Sequence, residues 1–351
     1  MQADATDDTL LISRQGRLGR LTVNRPKALN ALDITLYRAI GAALAAWRDD
    51  PEVETVLIDS TSPRAFSAGG DLRALHTLAL EVGPDAAARV FRAGYRLVSV
   101  LAGYPKPIVS FMDGITMGGG VGLGAHVRHR IVTERSVLAM PEVAIGLTPD
   151  AGGSYLLSRV PGLYGLRLAL TGGRMKGGQA VVAGFADRML AASDLPDLAT
   201  ALARRPAGEV VDLAPAAPRE GQEDLAAINA LYDAPDLATI RDRLARSDAA
   251  WAAEDREAMA LASPLSLLVT FRAWHAARRL PDLNTVLEQE YRLIGNLLRL
   301  PDFTEGVRAK IVDKDNAPRW LDGAALDETA IEACFAPRPD TLDLPVFSEP
   351  V

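Results

Sequence analysis

The stretch AMPEVAIGLTPDAGG, residues 139–153, puts two carboxylates in unusual company. Glu142 sits in a run of small and apolar residues, and Asp150 follows eight positions later, after Pro149 and just ahead of a glycine pair. Two readings are open. Asp150 can cap a helix beginning at SYLLSRV while Glu142 is a buried, hydrogen-bonded side chain, or the two acids are aimed at one substrate. On one continuous helix they would stand about 80° apart, but Gly146 and Pro149 argue against such a helix.

Working outward, short apolar runs alternate with helical patterns. Leu21 and Val23 read as a strand that Pro26 stops, and Asp33 can cap a helix whose apolar face is Leu36, Ile40, Leu44 and Trp47. TVLIDS (55–60) and KPIVSFMDG (106–114) read as strands covered on both faces. RIVTERSVLAMPE adds more β-branched residues, and SYLLSRVPGLYGLRLALTGGR reads as helices. This alternation indicates an α/β fold with parallel or mixed pairing. Residues 206–220, rich in Pro and Ala, read as a linker or long loop; 222–333 is helical in pattern, with Ser263 a cap before Pro264. The division expected is a catalytic core over 10–190, a helical region over 191–335 and an extended tail over 336–351.

Composition narrows the function. Hydrophobic residues make up 48% of the 351 and charged ones 24%, enough apolar side chain for a large core. A net charge of −7 without any Lys/Arg run argues against a nucleic-acid partner. No apolar stretch reaches the roughly 18 residues a membrane helix needs. The acidic N-terminal MQADATDDTLLISRQG has no apolar core of a secretory signal, so a cytoplasmic location is expected. Cys334 is the single cysteine, which excludes an internal disulfide and fits a reducing compartment. No histidine neighbours it in sequence, so a reactive thiol is not expected. His126 and His129 lack further ligands at metal spacing, so no metal is expected.

Two segments are glycine-rich. In GITMGGGVGLGA, residues 120–125 match GxGxxA, but a dinucleotide fingerprint needs a helix of about ten residues before the next strand. RIVTE starts five residues after Ala125, which is too soon. Glycines also let backbone N–H groups converge on an oxygen that gains charge during reaction. AFSAGGD, with Ala68, Gly69 and Gly70 ahead of Asp71, offers a similar device. Helix–strand packing and turn geometry explain the same glycines equally well.

FSAGGD, GITMGGGVGLG and MPEVAIGLTPDAGG, in this order and spacing, resemble the crotonase superfamily of acyl-CoA enzymes. Within it, ITMGGGVGL, AIGLTPDAGG, LALTGGRMKG, SPLSL and EGVRAKIVDKDNAPRW are similar to the 3-hydroxyisobutyryl-CoA hydrolases. The resemblance runs from about residue 10 to 322. It implies a spiral of β-β-α units with an α-helical C-terminal region. It also implies an oxyanion hole made by the N–H groups of Ala68 and Gly119, each such donor contributing about 3 kcal/mol to the transition state. Gly69, Gly70, Asp71 and Gly118 join those two as substrate-binding residues. Superfamily hydratases place one glutamate three residues after the oxyanion glycine and another in the PE pair. Here the first position is Gly122 and the second is Glu142, while Asp150 stands where those hydratases have glycine. The resemblance therefore implies thioester hydrolysis by Glu142 and Asp150, with valine breakdown as the setting. An enoyl-CoA hydratase or isomerase is the alternative, and an isomerase manages with one acid. CoA would enter as part of the substrate, with no cofactor and with a homo-oligomer as the expected assembly. Arg308, Lys310 or Lys314 would meet its phosphates. One departure stands out. The related hydrolases carry REEY before the KPIVS strand, and its second acid helps bind substrate; this chain has Arg92-Ala93-Gly94-Tyr95, without that acid.

Overall fold

The computed structural model describes residues 9–212, 224–321 and 326–344. Short apolar segments form the strands on which the chain is wound. β1 (Leu10–Gln15) and β2 (Leu18–Val23) make an antiparallel pair, and β3 (Thr55–Ser60) runs parallel to β2. All of β3 but its last residue is buried, as its unbroken apolar run requires. The chain then repeats one move: β3 is followed by β4 (Ala65–Ser67), β5 (Ile108–Met112) by β6 (Ile115–Met117), and β7 (His129–Thr133) by β8 (Val137–Ala139). The first strand of each pair enters one sheet and the second enters another. With β9 (Met175–Lys176) and β10 (Arg188–Leu190), the sheets are β1-β2-β3-β5-β7-β10 and β4-β6-β8-β9. Pairings between successive turns of the spiral are parallel in both. This is the α/β spiral of β-β-α units expected.

Helices fill the gaps between turns. α1 (Ile34–Trp47) starts where Asp33 accepts a hydrogen bond from the Leu36 N–H at 2.8 Å, and it buries Leu36, Ile40 and Leu44. α2 (Leu72–Glu81) and α3 (Pro84–Ala102) follow β4, and the short α4 (Gly119–Gly124) follows β6. Six residues are too few for the helix of a dinucleotide fold, in keeping with the sequence argument. α5 (Gly153–Leu157) and α6 (Tyr164–Thr171) follow β8.

The C-terminal helices form the other wall. Helices Leu225–Tyr232 and Ala250–Leu261 pack on α6, while Leu283–Leu297 packs on α3 and Pro301–Val307 on α2. Ser263 caps helix Pro264–Ala277, its hydroxyl accepting from the Ser266 N–H. One apolar cluster accordingly joins Leu75, Tyr95 and Val98 to Leu265, Leu287 and Phe303. Gly146, at φ +76°, lets helix Pro301–Val307 lie on the backbone of the 142–146 turn; a Cβ there would meet the Asp302 carbonyl carbon at 2.4 Å.

Part of the expected 206–220 linker is corrected. Ala207–Asp212 is a helix, because Ala207, Val210 and Val211 share a face and bury against Leu198 and Leu202; residues 213–223 lie outside the described ones. Residues 336–344 have no regular structure, yet Leu342 is buried and Arg338 pairs with Asp340; 345–351 lie outside. Among the described residues no helix is long and apolar enough to cross a membrane.

Candidate active site

A cavity of about 420 Å³ opens between α1, α2, α3 and the glycine-rich segments, and both Glu142 and Asp150 line it. The backbone reversal that brings them together has two parts. Glu142 begins a short 3₁₀ turn, Glu142–Ile145, which ends at Gly146. Ala151 and Gly152 then adopt φ of +52° and +80° and turn the chain into α5. Asp150 does not cap that helix. The cap residue is Gly152 with no side-chain bond, and the Asp150 carboxylate instead accepts the Tyr95 hydroxyl at 2.7 Å.

Glu142 is 6% exposed, and its Oε2 has no hydrogen-bond partner. Its other oxygen stands where only glycine fits at 118: a Cβ on Gly118, whose φ is +50°, would lie 2.8 Å from Oε1. Burial, and then the nearby Asp150, holds the Glu142 carboxyl well above its ordinary pKa. Burial likewise lifts Asp150 to about 6, while the bond from Tyr95 pulls the other way. A third acid, Glu290 of helix Leu283–Leu297, accepts the backbone N–H groups of Gly152 at 2.7 Å and Ser154 at 2.9 Å. It thus pins the turn that carries Asp150, and burial raises it to about 8. Among the described residues, none of the three forms a salt bridge.

The two glycine-rich segments do adjoin. A Cβ on Gly69 would lie 2.8 Å from the Met117 carbonyl oxygen and 3.3 Å from the Gly119 nitrogen. One expected donor is corrected, because the Ala68 N–H is already given to the Leu29 carbonyl at 2.9 Å. The N–H of Gly70 makes no such bond, and its nitrogen is 3.5 Å from a Cβ built on Gly119. Gly70 and Gly119 are therefore the free pair; Ala68, Gly69 and Gly118 line the cavity beside them. Asp71 is corrected as well. Its carboxylate caps α2 through the Ala74 N–H and pairs with Arg25 at 3.0 Å, away from the cavity lining.

Gly122 has a structural counterpart in the Asp150 turn. A Cβ at 122 would stand 2.8 Å from the Ala151 Cβ, so the turn that presents Asp150 fills the space a side chain would take.

Lys310 and Arg174 both line the cavity, and neither is in an ion pair among the described residues. Arg308 is corrected as a phosphate ligand. It is held by Glu305, Asp313 and Asp315 at 2.6–2.8 Å. Lys314 does not line the cavity. Cys334 is buried, which pushes its thiol up to about 11 and makes it a poor nucleophile. Burial lowers His126 to about 3, and no group of acids, cysteines and histidines among the described residues could hold a metal ion.

Tyr95 and Glu290 went unrecognised in the sequence. The one available signal was spacing: Phe91, Gly94, Tyr95 and Val98 fall on one face of α3, the face that lines the cavity. Glu290 sits in an ordinary-looking helical pattern and has no local mark.

Two wound sheets, adjoining glycine segments and buried acids beneath them define a crotonase fold with an acyl-CoA-type site. The enoyl-CoA hydratase/isomerase family model matches residues 18–335, and the chain belongs to that family. Among curated relatives, the mitochondrial 3-hydroxyisobutyryl-CoA hydrolase of Gallus gallus is 39% identical, over 95% of this chain and 90% of its own. The Homo sapiens protein of the same name is 36% identical over 90% and 85%. Among solved structures, an enoyl-CoA hydratase from Rhodobacter sphaeroides 2.4.1 is 44% identical at a TM-score of 0.87, covering 94% of this chain and 97% of its own. A carnitinyl-CoA dehydratase from Mycobacterium thermoresistibile is 38% identical at 0.89, covering 96% and 98%. The names divide between hydrolysis and hydration.

Proposed function

We propose that the chain hydrolyses the thioester of a short acyl-CoA, 3-hydroxyisobutyryl-CoA first, releasing 3-hydroxyisobutyrate and CoA. The observation that carries this reading is the paired burial of Glu142 and Asp150, with residue 122 closed to a side chain by the Asp150 turn. Hydration needs that second glutamate. The curated relatives named as hydrolases support the same choice.

In this mechanism the thioester oxygen lies between the N–H groups of Gly70 and Gly119, which stabilise it as it becomes an oxyanion. Glu142, with an unpaired oxygen and a raised pKa, acts at the carbonyl carbon as nucleophile or as base for water. The C–S bond breaks and CoA leaves as a thiolate that takes up a proton from solvent; where Glu142 is the nucleophile, water then hydrolyses its anhydride with the acyl group, and Asp150, oriented by Tyr95, acts as a carboxylate that orients Glu142 or that water. Arg174 and Lys310 meet the CoA phosphates. CoA arrives with the substrate, so the reaction uses no cofactor.

The test is thiol release from 3-hydroxyisobutyryl-CoA, 3-hydroxypropionyl-CoA and crotonyl-CoA, with Glu142→Gln as control. Release from a hydroxyacyl-CoA that the control abolishes is the expected result. Absorbance change on crotonyl-CoA without thiol release would establish hydratase or isomerase activity instead. A single turnover in ¹⁸O-water then addresses the role of Glu142, since label in its carboxyl identifies a mixed anhydride. A cytoplasmic location, a role in valine breakdown and self-association belong to the same proposal. The named vertebrate relatives are mitochondrial, so cell fractionation tests the first and sedimentation the last.

A further inference from the structure

Gly94 and Tyr37 line the cavity and have no part in the chemistry above. Gly94 is the position on the cavity face of α3 that lacks a side chain, between Phe91 and Val98. The ring of Tyr37, reaching in from α1, covers it. A Cβ built on Gly94 would lie 3.1 Å from Tyr37 Cζ and 3.2 Å from its hydroxyl oxygen. A side chain at 94 would therefore crowd the ring and require it to give way.

The phenol points toward the reacting end of the cavity. A Cβ on Gly119 would be 3.1 Å from the Tyr37 hydroxyl oxygen, and Gly119 carries one of the two free N–H groups. Asp150 is near as well: after burial, its charge is the largest influence keeping the phenol protonated. The contrast with Tyr95 is informative. Tyr95 gives its hydroxyl to Asp150, whereas the Tyr37 hydroxyl makes no hydrogen bond to any described residue. A hydroxyl in a largely apolar cavity is costly unless something pairs with it. With no partner among the described residues, the hydroxyl is free to pair with a polar group that a ligand brings close to the thioester carbonyl.

We propose that Tyr37 is the residue that selects for a hydroxyl on the acyl chain, hydrogen-bonding it beside the oxyanion hole, and that Gly94 is the space which lets the ring reach there. This rests on the hydrolase reading for its substrate class. It also accounts for a site that keeps its hydrolytic acids while carrying no acid at 94.

The experiment compares 3-hydroxyisobutyryl-CoA with isobutyryl-CoA, the same acyl group without the hydroxyl, in the parent, Tyr37→Phe and Gly94→Ala proteins. The parent is expected to favour the hydroxyacyl thioester in kcat/KM, and Tyr37→Phe to lower that preference about tenfold, the effect of one neutral hydrogen bond. Gly94→Ala, whose methyl crowds the ring, is expected to lower it in the same direction. An equal proportional loss on both thioesters in Tyr37→Phe would overturn the proposal, since it would make the phenol a structural or oxyanion contact. Full retention of the preference would overturn it too. If the parent turns over neither thioester, the hydrolase reading fails and calorimetric Kd values take over. Tighter binding of the hydroxyacyl thioester, lost in Tyr37→Phe, supports the contact, and equal Kd values for the two thioesters in the parent overturn it.

Discussion

Two buried carboxylate clusters in this molecule look alike and behave differently. In the helical region, Asp255 accepts the Tyr232 hydroxyl at 2.7 Å and the Arg167 guanidinium at 2.8 Å, and Trp251 covers that guanidinium at 4.5 Å. In the cavity, Asp150 also accepts a tyrosine hydroxyl at 2.7 Å, but among the described residues it forms no salt bridge, and Glu142 and Glu290 stand close by. Both sites accept the cost of burying a carboxylate. Only the first offsets part of that cost with opposite charge, although burial still raises the Asp255 carboxyl. The second raises its acids by burial and leaves an oxygen of Glu142 unpaired, which suits it to chemistry.

The sharpest way to break this comparison is to neutralise the uncompensated acid. Glu142→Gln is expected to cut thiol release roughly 10³-fold, about 4 kcal/mol at the transition state. The same variant has a stability signature. Because burial raises the folded pKa of Glu142 above its ordinary 4.5, its favourable contribution is full below that value and is lost as pH rises through the folded pKa. Glu142→Gln should therefore raise Tm relative to the parent, more at pH 8 than at pH 5, in thermal melts at both pH values.

The compensated acid should give the opposite result. Asp255→Ala removes the buried carboxylate that Arg167 pairs with and is expected to cost about 3 kcal/mol in urea unfolding. Thiol release per folded molecule should be retained. Asp150→Asn is expected to lower kcat about 100-fold, close to 2.7 kcal/mol, and to remove the acid limb near pH 6 from the rate profile. Smallest is Tyr95→Phe, which removes the hydrogen bond holding the Asp150 pKa down. A loss of about tenfold is expected, with the acid limb moved to higher pH. A limb that stays in place in Tyr95→Phe would show that the profile reports another group.

The same contrast explains how far the sequence could be read. Strands β3 and β5 were legible because an unbroken apolar run is a local property. The caps at Asp33 and Ser263 were legible because a cap acts within three residues. Glu142 and Asp150 stood out by their type and spacing. Assigning the oxyanion donor to Ala68 failed because its N–H meets the Leu29 carbonyl, 39 positions away, and nothing in FSAGGD announces it. Arg308 looked available until its carboxylates came into view.

By itself, then, the sequence determined the order of strands and helices, the glycine segments and the two acids, because propensity, capping and apolar runs depend on neighbours along the chain. Tertiary structure alone decided that Gly70 is the free donor, that the Asp150 turn excludes a side chain at 122, and that Glu290 pins this turn from 136 residues beyond Ser154. It also decided which buried acid meets a cation. Desolvation, pairing and steric exclusion depend on which distant groups share a space, and only the folded chain defines that.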